Sequence, residues 1–221
     1  MEEKLLIDSI IFDMDGTLID SMKVWYNTDR IFLRENGIEP PENISEIMKK
    51  KTIKEAADYF IHEFSLDCTQ EYVIKRIEEL VAEEYRKSIQ LKSGVIEFLD
   101  FLDKKIIPYC VATATYKSLA NAVLKHCGIL ERFKFILTGE DVKSGKTSPE
   151  IYFECAKRLN IKCDEILVAE DSLHCIETAV NAGFYTVGVY DSEASADWIK
   201  IRRIAHKTVN NIFEISDIIK D

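Results

Sequence analysis

The chain has 221 residues and a formal net charge of −10 at pH 7, with 47% hydrophobic and 31% charged residues. These values are typical of a globular protein with a sizeable core, and they exclude a disordered tail. The acidic balance argues against a nucleic-acid-binding surface, because phosphate backbones require clustered positive charge. No apolar run approaches the ~20 residues that a membrane-spanning helix needs. We therefore expect neither a nucleic-acid partner nor a membrane partner.

The cysteines and the N-terminal segment indicate a cytoplasmic protein. None of the six cysteines forms a Cys-x-x-Cys pair, and a chain of this length does not need disulfides to fold. Glu2 and Glu3 precede the first apolar stretch, which lacks a small-residue cleavage site and is unlike a signal peptide. We expect reduced, mostly buried cysteines and a cytoplasmic location.

Predicted strands and helices alternate through most of the chain. The apolar segment 5–13 ends at Asp13 and is typical of a buried parallel strand. After Gly94, apolar strands that end near Thr113, Gly139 and Asp171 are separated by amphipathic helices. Because strands joined through helices favour right-handed crossovers, we predict an α/β fold, a Rossmann-like three-layer core with a parallel sheet.

The stretch between residues 20 and 89 has a different texture, since helical periodicity replaces the alternation. Pro40 and Pro41 separate its first helical segment from the rest. Thr52 followed by Glu55 has the spacing of a capping box. We predict a small all-helical cap domain at 20–89, inserted into a core formed by 1–19 and 90–221.

Polar side chains follow several of the predicted strands. Asp13 ends the first strand, Thr113 ends a later one, and Glu170 and Asp171 end another. Ligands of an open parallel sheet bind beyond the carboxyl ends of its strands, so these groups are expected at one edge. Asp15 follows Asp13 by two residues. Four carboxylates gathered at one place favour a hard cation such as Mg²⁺.

These residues carry a resemblance to a known family. The segment 13–18, DMDGTL, resembles the first motif of the haloacid dehalogenase-like superfamily of phosphotransferases. Thr113 resembles the second motif, Lys146 in GKTSPEIY the third, and the segment 170–172, EDS, the fourth. Their order and spacing match along the whole chain. The helical insert lies where the β-phosphoglucomutase and phosphatase-like subfamily carries its cap.

The resemblance implies a role for each core residue. Asp13 would be the nucleophile and form an aspartyl-phosphate. Asp15 would protonate the leaving oxygen and then deprotonate the attacking water. Thr113 and Lys146 would bind and neutralise the phosphoryl group. The phosphate-binding set that the family implies comprises Asp13, Thr113, Lys146 and the backbone N–H groups of Met14, Asp15 and Ala114.

The resemblance also implies Mg²⁺ as the cofactor. It would be held by the Asp13 side chain, the Asp15 backbone carbonyl and Asp171, with Glu170 binding directly or through water. The metal would screen Asp13 from the anionic phosphate that it attacks.

Two of these assignments have competitors on the chain. Thr115 lies two residues beyond Thr113 and could take its place. Lys143 lies on the same polar loop as Lys146, which we favour from its spacing to the following proline. Thr147 replaces the proline that is usual in the family, and this leaves the loop less constrained.

The inserted domain is expected to select the substrate. Trp25 begins its first helix and could stack on a sugar or base, although packing within the protein explains it equally well. Lys51 ends a basic run that starts at Lys49, with Lys54 nearby. These lysines could meet the polar end of a substrate, or they could form a solvated helix end.

Departures from the family favour a phosphatase over a mutase. The sugar-phosphate mutases usually carry a histidine early in the first cap helix, and that position falls at Trp25. They also carry a cap arginine, which the segment 49–55, KKKTIKE, lacks. We predict a Mg²⁺-dependent phosphatase of a small phosphorylated metabolite, such as a sugar phosphate. The alternatives are a β-phosphoglucomutase-like phosphosugar mutase and a non-catalytic binding protein on the same fold. The resemblance favours a monomer.

Overall fold

A computed structural model of the chain describes residues 6–48, 51–87, 89–142, 146 and 148–219. Lys49, Lys50, Lys143 and Thr147, which the sequence analysis considered, lie outside the described residues. The chain divides into two compact units. The core unit comprises Met1–Asp20 and Gln90–Asp221, and the helical unit comprises Ser21–Ile89. That the helical unit acts as a cap on the core stays a prediction.

The core unit contains a six-stranded parallel sheet. Its strands lie in the order β3-β2-β1-β4-β5-β6. Their bounds are Ser9–Phe12 for β1, Tyr109–Thr113 for β2, Ile136–Thr138 for β3, Ile166–Glu170 for β4, Tyr185–Val189 for β5 and Lys207–Val209 for β6. The strand β1 is central, and Phe12 is in register with Val111 of β2 and Ala169 of β4. The carboxyl ends of β1, β2 and β4 therefore lie side by side.

Helices cover both faces of this sheet. They are α5 (Val95–Lys105), α6 (Lys117–His126), α7 (Glu150–Leu159), α8 (Leu173–Asn181) and α9 (Trp198–Ile204). Successive residues of a strand point to opposite faces. Ile11 belongs to a buried cluster with Ile151 and Tyr152 of α7, whereas the Phe12 ring meets the Phe98 ring of α5 at 5.8 Å between centroids. Two helical layers therefore enclose the sheet, which confirms the predicted Rossmann-like α/β core.

The helical unit consists of α1 (Met22–Glu35), α2 (Ile44–Met48), α3 (Ile53–Glu63) and α4 (Gln70–Lys87). Phe32 of α1 and Phe60 of α3 are fully buried, with ring centroids 5.3 Å apart. The predicted capping box at the start of α3 is present, since Thr52 and Glu55 each accept the other's backbone N–H. In the residues of this segment that the structure describes, every regular element is a helix, as predicted.

The structure bears on two expectations from the sequence, which concern membrane-spanning helices and the state of the cysteines. In the part of the chain that the structure describes, no helix combines the length and the apolar character needed to cross a membrane. The six cysteines are all free thiols, and Cys110, Cys155 and Cys175 are buried.

Candidate active site

Asp13 lies directly after β1, at the centre of the sheet. Its backbone N–H donates to the carbonyl of Ala169 at 2.9 Å, so the β1–β4 pairing continues up to this residue. Only 7% of Asp13 is exposed. The pKa of Asp13 is raised to about 7, chiefly because burial disfavours its charge and also because Glu170 is negative, while Lys146 opposes both effects. A carboxyl group with a pKa near neutrality is a candidate for chemistry.

A tight turn follows β1. The N–H of Ile19 donates to the carbonyl of Met14 at 3.0 Å. Gly16 has φ = +84°, in the left-handed region that favours glycine, so the turn requires this residue. Within the turn, Asp15 Oδ2 accepts a hydrogen bond of 2.7 Å from the hydroxyl of Thr115.

Two threonines that are alternatives for the second motif, Thr113 and Thr115, lie at the end of β2. Thr113 is the last residue of the strand, and both Thr113 and Thr115 are buried. The N–H of Thr115 donates to Thr113 Oγ1 at 3.1 Å, while the hydroxyl of Thr115 donates to Asp15. The two threonines are therefore connected, and they make different contacts.

Lys146 joins the ends of β1 and β4. Its ammonium lies 2.5 Å from Asp13 Oδ1 and 2.5 Å from Glu170 Oε1, and all three side chains are buried. Burial by itself lowers the pKa of Lys146, but the carboxylates of Asp13 and Glu170 outweigh it and hold the pKa well above its ordinary value. Lys146 is therefore a fixed positive charge in this cluster.

Glu170 and Asp171 come from the end of β4. Glu170 Oε2 accepts the backbone N–H of Ser172 at 2.9 Å. Although burial opposes it, Lys146 lowers the pKa of Glu170 below its ordinary value. The pKa of Asp171 is raised well above its ordinary value, first by burial and then by the negative charges of Glu170 and Asp13. The pKa values of the two neighbouring acids thus shift in opposite directions. Among the contacts described, Lys146 pairs with Glu170 and not with Asp171.

The donor set fits a divalent cation. Asp13, Glu170 and Asp171 each offer a carboxylate oxygen, and these atoms all lie within 4.8 Å of one another. Three ionised carboxylates facing the single ammonium of Lys146 leave two negative charges, which one Mg²⁺ would balance. Oxygen donors are also those that Mg²⁺ prefers. Asp15 is expected to contribute its backbone carbonyl, so its side chain is not part of this group.

Two charged residues that the sequence did not predict for the site, Lys92 and Asp191, lie beside the turn after β1. Lys92 Nζ donates to the carbonyl oxygens of Gly16 and Tyr190 at 2.5 and 2.8 Å, and it pairs with Asp191 Oδ2 at 2.8 Å. Asp191 is buried just beyond β5. The strand-end rule that located Asp171 could have located Asp191 as well. Lys92 had no comparable signal, because an isolated lysine is usually a solvated side chain.

The substrate candidates predicted in the insert lie within the helical unit. Trp25 Nε1 donates to Tyr85 Oη at 3.2 Å, and the Lys51 ammonium lies 5.2 Å from the centre of the Tyr59 ring. Lys54 is exposed. Their roles toward a substrate stay predictions.

Relatives of the chain agree with the resemblance of its motifs. A phosphorylated carbohydrates phosphatase of Thermotoga maritima is 28% identical over 177 residues, which cover 80% of this chain and 82% of the relative. Hexitol phosphatase A of Escherichia coli K12 is 29% identical over 198 residues, which cover 88% of this chain and 87% of the relative.

The fold and the family of the chain follow from two further similarities, one to a solved structure and one to a family model. A crystal structure of β-phosphoglucomutase from Clostridium difficile is 22% identical, covers 94% of this chain and 92% of its own, and superimposes with a TM-score of 0.76. At that identity it shows the fold alone. The sequence model of the haloacid dehalogenase-like hydrolase family matches residues 10–189, which include all four motifs. The chain therefore belongs to the haloacid dehalogenase-like hydrolase family.

Proposed function

We propose that the chain is a Mg²⁺-dependent phosphatase that hydrolyses a small phosphate ester through an aspartyl-phosphate on Asp13. The observation that carries the proposal is the buried cluster at the carboxyl ends of β1 and β4, where Lys146 bridges Asp13 and Glu170 beside Asp171. Membership of a hydrolase family supports the reaction class, as does the naming of both relatives above as phosphatases.

In the first step, an oxygen of Asp13 attacks the phosphorus atom of the ester. The bond from phosphorus to the ester oxygen breaks as the Asp13–phosphorus bond forms, and Asp15 gives its proton to the departing oxygen. The hydroxyl of Thr113 donates a hydrogen bond to a phosphoryl oxygen, as do the backbone N–H groups of Met14, Asp15 and Ala114. Lys146 offsets the charge that the phosphoryl group carries.

In the second step, Asp15 is ionised and takes a proton from water. The water oxygen attacks phosphorus, and the bond between phosphorus and Asp13 breaks. Inorganic phosphate leaves, Asp13 is again a carboxylate, and Asp15 again holds the proton for the next cycle. Two displacements of low barrier thereby replace one difficult hydrolysis.

Asp13, Glu170 and Asp171, with the backbone carbonyl of Asp15, would hold the Mg²⁺ ion. When bound, the ion would supply positive charge that allows an anionic phosphate to approach a carboxylate nucleophile. Burial is the first cause of the raised pKa values of Asp13 and Asp171, and the negative charge of Glu170 is the second. A bound cation would offset both effects, because it favours the ionised carboxylates.

Sugar or sugar-alcohol phosphates are the substrate class that we propose. The relatives named above act, by their names, on phosphorylated carbohydrates and hexitol phosphates. The helical unit, as the cap inserted between the motifs, would select among them and exclude water, with Trp25, Lys51 and Lys54 facing the substrate.

The test is Mg²⁺-dependent phosphate release from sugar phosphates, nucleotides, phosphoglycolate and p-nitrophenyl phosphate. We expect release that a chelator and Asp13→Asn both abolish. Asp8→Asn, which alters an exposed aspartate just before the same strand, serves as the matched control and should leave the rate unchanged.

Three outcomes would contradict the proposal. Full activity of the Asp13→Asn variant would show that Asp13 is not the nucleophile. Isomerisation of β-glucose 1-phosphate in the presence of a bisphosphate, without net phosphate release, would instead identify a mutase. Silence in both assays would favour a binding protein on the same fold.

A further inference from the structure

Thr115 makes two hydrogen bonds at the candidate site, and the family resemblance assigns it no role. Its hydroxyl donates to Asp15 Oδ2 at 2.7 Å, and its N–H donates to Thr113 Oγ1 at 3.1 Å. Only 3% of Thr115 is exposed. Asp15 and Thr115 are 100 residues apart in sequence, so the contact depends on the β1–β2 pairing.

These hydrogen bonds give Thr113 and Thr115 different roles. A hydroxyl carries one donor proton and can also accept hydrogen bonds. Thr113 Oγ1 accepts from the backbone of Thr115, so its own proton can be directed to a phosphoryl oxygen. The proton of the Thr115 hydroxyl is directed to Asp15 and is not offered to the phosphoryl group.

The Asp15 carboxyl needs such a partner for acid catalysis. Rotation about the terminal torsion of an aspartate is only loosely restricted, whereas proton transfer requires one oxygen within hydrogen-bond reach of the ester oxygen. A donor at Oδ2 restricts this rotation and places the acidic proton on Oδ1. When that proton has left, the same donor stabilises the new carboxylate through a charge-assisted hydrogen bond.

We propose that Thr115 is a positioning residue that holds Asp15 in the orientation for protonating the leaving oxygen. The proposal rests on the proposed function. It places the effect of Thr115 in the first step, in which the ester bond to phosphorus breaks and the Asp15 proton moves to the departing oxygen. The hydroxyl of Thr115 keeps its own proton throughout.

The leaving group provides the test. Departure of a sugar alkoxide requires a proton, whereas p-nitrophenolate is a stable anion and departs without one. The quantity to measure is kcat/KM, which reports the first irreversible step. Thr115→Val keeps the shape of the side chain and removes the hydroxyl. We expect kcat/KM to fall about 10- to 100-fold for the sugar phosphate that the unaltered chain hydrolyses fastest. The loss for p-nitrophenyl phosphate should stay within about threefold, since little acid catalysis is needed there.

Three further variants complete the experiment. Thr115→Ser restores the hydroxyl and should recover the rate on the sugar phosphate. Asp15→Asn should show the same substrate dependence with a larger loss. Thr186→Val removes another buried hydroxyl of the core unit, which donates to the carbonyl of Phe184. It should leave the ratio of kcat/KM between the sugar phosphate and p-nitrophenyl phosphate unchanged. If Thr115→Val does not fold, as judged by circular dichroism, Thr115→Ala carries the same comparison.

Each remaining outcome decides the proposal. Equal losses on both substrates, or no loss on either, would overturn the positioning role of Thr115. Failure of Thr115→Ser to recover the rate would also overturn it, because the hydroxyl would then not be the active feature. If the unaltered chain hydrolyses neither substrate, the proposed function itself has failed, and that result is distinct from the others.

Discussion

The core unit and the helical unit each contain a buried aspartate whose pKa is raised to about 7. In the core unit, Asp13 owes this value to burial and to Glu170, against the opposing charge of Lys146. In the helical unit, Asp29 of α1 owes it to burial, and Arg30 opposes it. Burial alone can therefore raise a pKa to neutrality. Of these two aspartates, only Asp13 also pairs with a buried ammonium and belongs to a group of carboxylates that could hold a metal ion.

The ion pairs of the two units differ in the same way. In the core unit, the side chains of Lys146 and Asp13 are 5% and 8% exposed. In the helical unit, Arg76 and Glu35 are 27% and 39% exposed. The guanidinium of Arg76 binds Glu35 through two hydrogen bonds, but water reaches this pair and screens its charges, whereas the buried charges of the first pair depend on one another. Removing a charge from a buried pair should consequently cost far more than removing one from an exposed pair.

The largest effect is expected for Lys146→Met in the core unit. Without the ammonium, Asp13 and Glu170 are buried carboxylates that repel each other, and breaking a buried pair typically costs about 3–5 kcal/mol. We expect that loss in urea unfolding of the metal-free chain at pH 8. The matched change is Lys200→Met, which breaks an exposed pair with Asp197 and should cost less than about 1 kcal/mol. Equal losses would contradict the contrast between buried and exposed pairs.

An intermediate effect is expected from Mg²⁺ and pH. Between about 4.5 and 7, an unfolded Asp13 with its ordinary pKa of 3.8 has lost its proton, whereas the folded group retains it. The folded state then binds more protons, so the free energy of unfolding of the metal-free chain should fall as pH rises through this window. Glu170 acts in the opposite direction, because its pKa is lowered, but only below its ordinary value of 4.5.

Adding Mg²⁺ should reverse this loss, because a cation favours ionised carboxylates. We expect stabilisation of about 2.7 kcal/mol at pH 8 when the ion is present at 100 times its Kd, and less at pH 5. Urea unfolding with chelator or with Mg²⁺ measures both values. Asp29→Asn should flatten part of the pH dependence and leave the Mg²⁺ effect intact. A Mg²⁺ effect of the same size at both pH values would argue against a site built on Asp13 and Asp171.

The smallest effect compares the same local motif in the two units. Capping boxes are formed by Thr52 with Glu55 in the helical unit and by Asn211 with Glu214 in the core unit. Thr52→Ala should cost about 1 kcal/mol, because one backbone N–H loses its partner. Asn211→Ala should cost somewhat more, because Asn211 also donates to Ser93 Oγ at 3.3 Å. Thermal and urea unfolding of Thr52→Ala and Asn211→Ala measure this. A loss of several kcal/mol in either variant would show that the cap has tertiary contacts of comparable weight.

The site could be predicted as far as strand ends determine it. Asp13, Thr113, Glu170 and Asp171 each follow an apolar run, and a parallel sheet brings the ends of such runs to one edge. The family motifs added Asp15 and Lys146. The resemblance also implies that Lys146 offsets the charge of Asp13, a contact between residues that are 133 positions apart in sequence. The pairing of Thr115 with Asp15 could not be predicted in this way.

The sequence by itself determined the alternation of strands and helices, the helical insert and the capping box of Thr52, since these follow from periodicity and from neighbours a few residues away. Only the tertiary structure decided that Thr115 contacts Asp15, that Lys92 pairs with Asp191 and that burial raises the pKa of Asp29. The physical reason is that hydrogen bonds and desolvation depend on which distant segments meet, and no local pattern records that. Charge balance and burial at the end of the sheet are therefore properties of the fold, although each participating residue is visible in the sequence.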